Sequence, residues 1–114
     1  MTRHDDTIRL RHMLDHALEA VEMTRGCQPA DLKRNRMLQL ALVRLVEIVG
    51  EVATRVSHEG QEQHPSIPWQ QARGMRNRLI HGYDTVDLDV LWDTTQDDLP
   101  ALIVQLRQAL ENCQ

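Results

Sequence analysis

The sequence predicts an all-α fold, a bundle of four to five helices. Three observations carry this. Strand-forming material is scarce: the 114 residues hold no phenylalanine and one tyrosine, and alternating apolar and polar positions are few. Apolar residues recur instead at helical spacing. Gly26 and Pro29, then Gly60 and Pro65, punctuate the periodic segments.

The elements follow in order. Leu10, Met13, Leu14, Ala17, Ala20 and Val21 mark one face of a first helix, Asp6 to Arg25. Gly26 and Pro29 end it and turn the chain. A second helix runs from Asp31 to about Ser57. Its polar residues Arg44, Glu47, Glu51 and Arg55 form one narrow stripe, and nearly everything else from Leu38 to Ala53 is apolar. Such a helix must bury more than one face, and a second subunit is a natural supplier of the extra cover. Ser57 to Ser66 is polar and reads as a loop. Pro68 opens a third helix at a favourable first-turn position, and this helix should loosen near Gly82. Asp84 to Asp87 reads as a connection. Asp87 caps a fourth helix whose first buried turn is Leu88, Leu91 and Trp92. Pro100 means a kink or a fresh start there, with Asp97 or Asp98 as N-cap. Leu99, Leu102, Ile103, Leu106 and Leu110 continue the apolar face.

Length and composition bound the rest. A chain of 114 residues is read as one domain, residues 1–114, with a modest core. No apolar run approaches a membrane span, and the Met-Thr-Arg-His-Asp-Asp start is not a signal peptide, so a cytoplasmic protein without a membrane role is expected. Cys27 and Cys113 suggest neither a disulfide framework nor a zinc site. The net charge of −4 argues mildly against a general nucleic-acid binder. Its distribution softens that. Trp69 to Tyr83 holds three arginines and no acid, while Asp84 to Asp98 holds six aspartates and no base. Lys33, Arg34 and Arg36 form a second basic cluster, which as residues alone reads as a solvated helix start. Segregation of this kind suits a small basic cleft on an acidic protein.

The chemistry concentrates in Arg76-Asn77-Arg78-Leu79-Ile80-His81-Gly82-Tyr83. Arginine binds phosphate through a planar fork of donors. Histidine suits proton transfer near neutral pH. Tyrosine offers a stacking ring and a hydroxyl. These are the parts needed to hold or break a phosphodiester with no metal or other cofactor. On a continuous helix Asn77 and His81 share a face, and Arg76 and Tyr83 share an adjacent one. The bland reading pairs Arg76 with Asp84 or Asp87 and packs Tyr83, but leaves His81 and Asn77 idle. Arg73 lies one turn before Asn77. Arg78 points about a third of a turn away, the position of a solvated charge. His12 and His16 stand four apart, yet no glutamate follows His12 and no third ligand is evident, so a surface pair is the stronger reading. Trp69 and Trp92 read as core anchors.

The spacing Arg-x4-His-x-Tyr resembles the signature of the HEPN domains, and more closely the HepT branch, the toxin half of a bacterial pair with a minimal nucleotidyltransferase. The resemblance extends to Leu45-Val46-Glu47-Ile48-Val49-Gly50-Glu51-Val52-Ala53, with Val52 where alanine is usual, to Ile67-Pro68-Trp69, and to Val86-Asp87-Leu88-Asp89-Val90-Leu91-Trp92. It runs from about Arg36 to Leu110. It implies an up-and-down HEPN bundle that forms a homodimer. It also implies a metal-independent endoribonuclease toxin of type VII-like organisation, acting on RNA, tRNA included. Arg76 and His81 would be catalytic, Asn77 and Tyr83 supporting, and Arg73 and Arg78 RNA-binding. Tyr83 would be the site where the nucleotidyltransferase antitoxin attaches AMP. The rival expectation is a non-catalytic helical binding subunit of a nucleotidyltransferase complex. A helical scaffold with a decorative motif ranks third.

Overall fold

The structure, a computed structural model, describes residues 3–81 and 85–113, with side chains over 4–80 and 85–113. It is all-α, as expected. Four longer helices make the body: α1 (Arg3–Met23), α3 (Arg36–Arg55), α5 (Trp69–Leu79) and α7 (Leu99–Glu111). Three six-residue helices link them: α2 (Pro29–Arg34), α4 (His58–Gln63) and α6 (Leu88–Asp93). Two-residue segments, β1 (Ile80–His81) and β2 (Thr85–Val86), pair antiparallel. A π-helical turn, Thr94–Asp98, joins α6 to α7.

Helix α1 packs on α3 and α7, and α3 packs on α5, so α3 lies between α1 and the motif helix. The core follows the sequence periodicity closely. Leu10, Met13, Ala17 and Ala20 of α1 are buried, with Leu14 and Val21 half-covered. Leu42, Leu45, Val46, Val49 and Ala53 of α3 meet them, and Leu99, Leu102, Ile103 and Leu106 close the set from α7. Intramolecular packing thus covers most of α3. Its uncovered apolar residues are Met37 and Leu40, in the first two turns.

Three expectations are corrected. The helix expected from Asp31 to Ser57 breaks at Asn35, which is extended (φ −119°, ψ 95°). Its Oδ1 accepts from the Leu38 amide at 3.0 Å, starting α3 afresh, while Gln39 Nε2 donates to the Leu32 carbonyl at 2.9 Å and so satisfies the end of α2. The stretch expected to be loop holds α4, because Ser57 caps it: Ser57 Oγ accepts from the Gly60 amide at 3.0 Å. Asp6, buried at the start of α1, accepts from both the amide and the hydroxyl of Ser57, tying α1 to this junction.

The third correction concerns the far end. Of the two expectations for Pro100 the fresh start holds, with Asp98 at the N-cap position of α7, but the chain reaches it through a π-helical turn and not through a loop. The π-helical turn carries the backbone through, and Pro100 falls in the first turn of α7, where a missing N–H costs little. Asp98 occupies the N-cap position but caps nothing; its carboxylate takes Arg78 instead. Thr94 and Thr95 are buried and return their hydroxyls to the carbonyls of Val90 (2.8 Å) and Trp92 (2.7 Å). Asp87 does cap α6, accepting from the Val90 amide at 3.1 Å.

Candidate active site at the end of helix α5

Helix α5 is anchored by Trp69, Ala72, Met75 and Leu79, which are buried in turn along one face. Trp69 is the core anchor expected of it, and its indole N–H donates to the His64 carbonyl at 3.0 Å. Trp92 is half-buried against the same core. With that face committed, Arg73, Arg76, Asn77 and Arg78 are left on the outside. Helix α3 supports α5 at Gly50, where an added Cβ would stand 3.1 Å from the Ala72 carbonyl oxygen. Any side chain there would push the α5 backbone back by a few tenths of an ångström.

The described partner of Arg76 lies on α3, and Asp84, which the bland reading offered, falls outside the described residues. Arg76 Nε donates to Glu47 Oε2 of α3 at 2.7 Å. The Glu47 side chain is 23% exposed and that of Arg76 49%. The half-buried carboxylate therefore orients the guanidinium while much of it still faces solvent. Arg73 reaches Gln61 Oε1 of α4 at 2.8 Å, and Gln61 is itself held by the Val56 carbonyl at 3.0 Å. Arg78 donates to Asp98 at 2.8 Å, so it is an exposed charge, as expected, that also holds an ion pair. Asn77 is exposed.

The helix ends at Leu79, before His81. Ile80 is extended (φ −106°, ψ 123°), and the Asp87 amide donates to the Leu79 carbonyl at 2.7 Å. Pairing of Ile80 with Val86 and of His81 with Thr85 then holds the chain extended. The β-branched Ile80, Thr85 and Val86 favour that state. The shared helical face expected for Asn77 with His81, and for Arg76 with Tyr83, is thereby removed. Whatever brings these groups together is the reversal of chain after Leu79, not helical spacing. The His81 side chain, Tyr83 and Asp84 lie outside the described residues. Lys33, in the second basic cluster, lies 3.5 Å from Asp89. His16 Nδ1 lies 2.6 Å from the His12 carbonyl, and no third possible metal ligand stands with the pair among the described residues. No helix among the described residues is long and apolar enough to cross a membrane.

Glu47 was read in the sequence as one member of a polar stripe. Its pairing with a residue 29 positions away is a product of the fold. Gln61 and Asp98 were missed for the same reason.

The sequence profile described as "Ribonuclease HepT-like" matches residues 13–109, which enclose every residue named above for the site. The chain belongs to the HepT-like ribonuclease family. Family relatives agree with this over nearly their whole length. A Thermococcus cleftensis protein named "Probable ribonuclease HepT" is 37% identical over 93 residues, 78% of this chain and 84% of its own. The Caldanaerobacter subterraneus protein named "Putative RNase TTE0752" is 32% identical over 102 residues, 90% of this chain and 91% of its own. The Methanocaldococcus jannaschii protein named "Putative RNase MJ1380" is 30% identical over 102 residues, 90% and 94% of the two chains. No solved structure matches the chain.

Proposed function

We propose that the protein is a metal-independent endoribonuclease, the toxin of a pair whose antitoxin is a minimal nucleotidyltransferase. The observation that carries this reading is the HepT-like match across residues 13–109, with Arg76 and His81 inside it. The geometry around Arg76 supports it: a half-exposed guanidinium, oriented from behind by Glu47, stands one turn before the chain reverses at Ile80 and His81. His81 takes the proton from a ribose 2′-hydroxyl, which attacks the adjacent phosphorus. Arg76 stabilises the charge that grows on the phosphate oxygens. A second histidine, from the partner copy of a homodimer, returns a proton to the departing 5′-oxygen. The bond to that oxygen breaks, and a 2′,3′-cyclic phosphate remains. Asn77 orients the phosphate, and Arg73, Arg78 and Tyr83 contact the RNA, tRNA among the candidates. The protein acts as a single domain in the cytoplasm.

Cleavage of total RNA by purified wild type, in EDTA, is the test, with His81→Ala and Arg76→Ala beside it. Wild type should cut and leave cyclic-phosphate or 3′-phosphate ends, and both variants should lose at least about a hundredfold. Strict dependence on a divalent ion would sink the mechanism. Binding to a cognate nucleotidyltransferase with no cleavage at all would favour the non-catalytic subunit.

A further inference from the structure

Helices α1 and α3 flank an open polar pocket of about 240 Å³, lined by Asp5, Ile8, Arg9, His12, Val52 and Arg55. The first four fall at i, i+3, i+4 and i+7, so they share one face of α1. Val52 and Arg55 face them from the last turn of α3. Val52 lies two positions beyond Gly50, about 200° around the helix, so the cavity opens on the side of α3 away from α5 and the motif.

Its cations are under-used. Among the described residues Arg9 Nη1 is buried and has no hydrogen-bond partner. Buried polar groups are nearly always bonded, and a guanidinium nitrogen left without an acceptor calls for an explanation. Glu51, one turn before Arg55, could have supplied an acceptor. It is drawn instead toward Arg44, 3.9 Å away. Asp5, the one acid of the lining, already has a bonding partner of its own. The lining thus sets two guanidinium groups and an imidazole against a single carboxylate, that of Asp5, with a donor atom that lacks an acceptor.

We propose that this cavity is a phosphate-binding subsite. Arg9 and Arg55 present forked donors that match the oxygens of a phosphate, and the His12 ring adds a third donor. The volume lies below the usual range for whole small-molecule ligands, roughly 300–1,000 Å³, so the cavity accepts an anionic group and leaves the rest of the ligand outside. Val52 and Ile8 supply the apolar part of the wall. A phosphate monoester and a phosphodiester of an RNA strand present the same oxygens, and the experiment separates them. The proposal does not depend on RNA cleavage.

The test uses the intact protein with two probes, ribose 5-phosphate by calorimetry and a labelled single-stranded RNA in EDTA by anisotropy. Wild type is compared with Arg9→Gln, Arg55→Gln and, as a surface control on α7, Arg107→Gln. At least one probe should weaken tenfold or more in both Arg9→Gln and Arg55→Gln. Arg107→Gln should leave the ribose 5-phosphate isotherm unchanged. Loss of RNA affinity in Arg55→Gln, with a salt slope smaller by about one unit, assigns the site to an RNA phosphodiester. Loss confined to ribose 5-phosphate assigns it to a free monoester. If Arg9→Gln lowers the melting temperature, Arg55→Gln, exposed at the helix end, decides alone. The proposal is overturned if Arg55→Gln binds both probes as wild type does.

Discussion

At the scale of single residues, Arg76 and Glu47 give the sharpest test of the site. An ion pair this exposed contributes no more than about 1 kcal/mol to stability, so activity can be separated from folding. Glu47→Gln keeps the shape and removes the charge that orients the guanidinium. It should lower cleavage about tenfold, the cost of a misplaced rather than missing group, while the melting temperature moves by a few degrees at most. Equal cleavage by Glu47→Gln and wild type would show that Arg76 needs no such support. Tyr83 carries a second test. AMP on its hydroxyl would add bulk and negative charge two residues from His81 and offer its phosphate to Arg76. A cognate nucleotidyltransferase with Mg²⁺ and ATP should add one AMP to the wild type, read as intact mass, and silence it. Equal gain by Tyr83→Phe would rule out Tyr83 as the modified residue. The identities of Arg76, Asn77, His81 and Tyr83 as candidates were legible because a dense, acid-free motif is a local pattern. Glu47, Gln61 and Asp98 were not, because each meets its arginine only through packing across 29, 12 and 20 positions.

The helices were legible where burial imposes a period, and illegible where one polar side chain decides. Asn35 ahead of an apolar run is an N-cap signal, yet the apolar run behind it read as one long helix. Ser57 with Gly60 three residues on was a similar signal inside a polar stretch. At the end of α5, arginine and leucine favour helix, but Ile80 and His81 are claimed by Val86 and Thr85, which a helical reading cannot foresee. Two junctions between elements carry predictions. Asp6 is buried at 8% exposure and accepts twice from Ser57. Asp6→Ala should cost about 2 kcal/mol and lower the melting temperature by about 8 °C. Gly60→Ala should act alike, since its Cβ would lie 2.5 Å from Asp6 Oδ2. A melting curve unmoved in both would mean that α1 is not tied there. Gly50→Val probes the other junction. The new side chain meets the backbone of α5 rather than a flexible tip, so α5 must move away from α3 and carry Arg76 off Glu47. Loss of cleavage exceeding that of Glu47→Gln, in protein that still melts cooperatively, is the expected result.

For the whole molecule the open matter is what completes it. The sequence argued for a second subunit from the apolar circumference of its second helix, and packing of α1 and α5 on α3 answers most of that demand. What is left is smaller and better defined. Met37 is 81% exposed and Leu40 54%, one turn apart at the start of α3, and on the outer side of α5 Gly74 would let a Cβ meet nothing within 4 Å. An open depression of about 420 Å³ runs along Gln70, Gln71, Gly74 and Arg78 on that same helix. Met37 and Leu40 give α3 a small exposed apolar spot, and a bare helix face beside the candidate motif is where a second copy would bring its own histidine under the proposed mechanism. The protein should therefore be a dimer at micromolar concentration by light scattering. Leu40→Asp should shift it toward monomer without lowering secondary structure, and under the proposed mechanism, which draws its acid and base from two chains, cleavage should fall in proportion to the dimer lost. A monomeric wild type that still cuts RNA would separate catalysis from assembly and leave His81 to do both proton transfers alone.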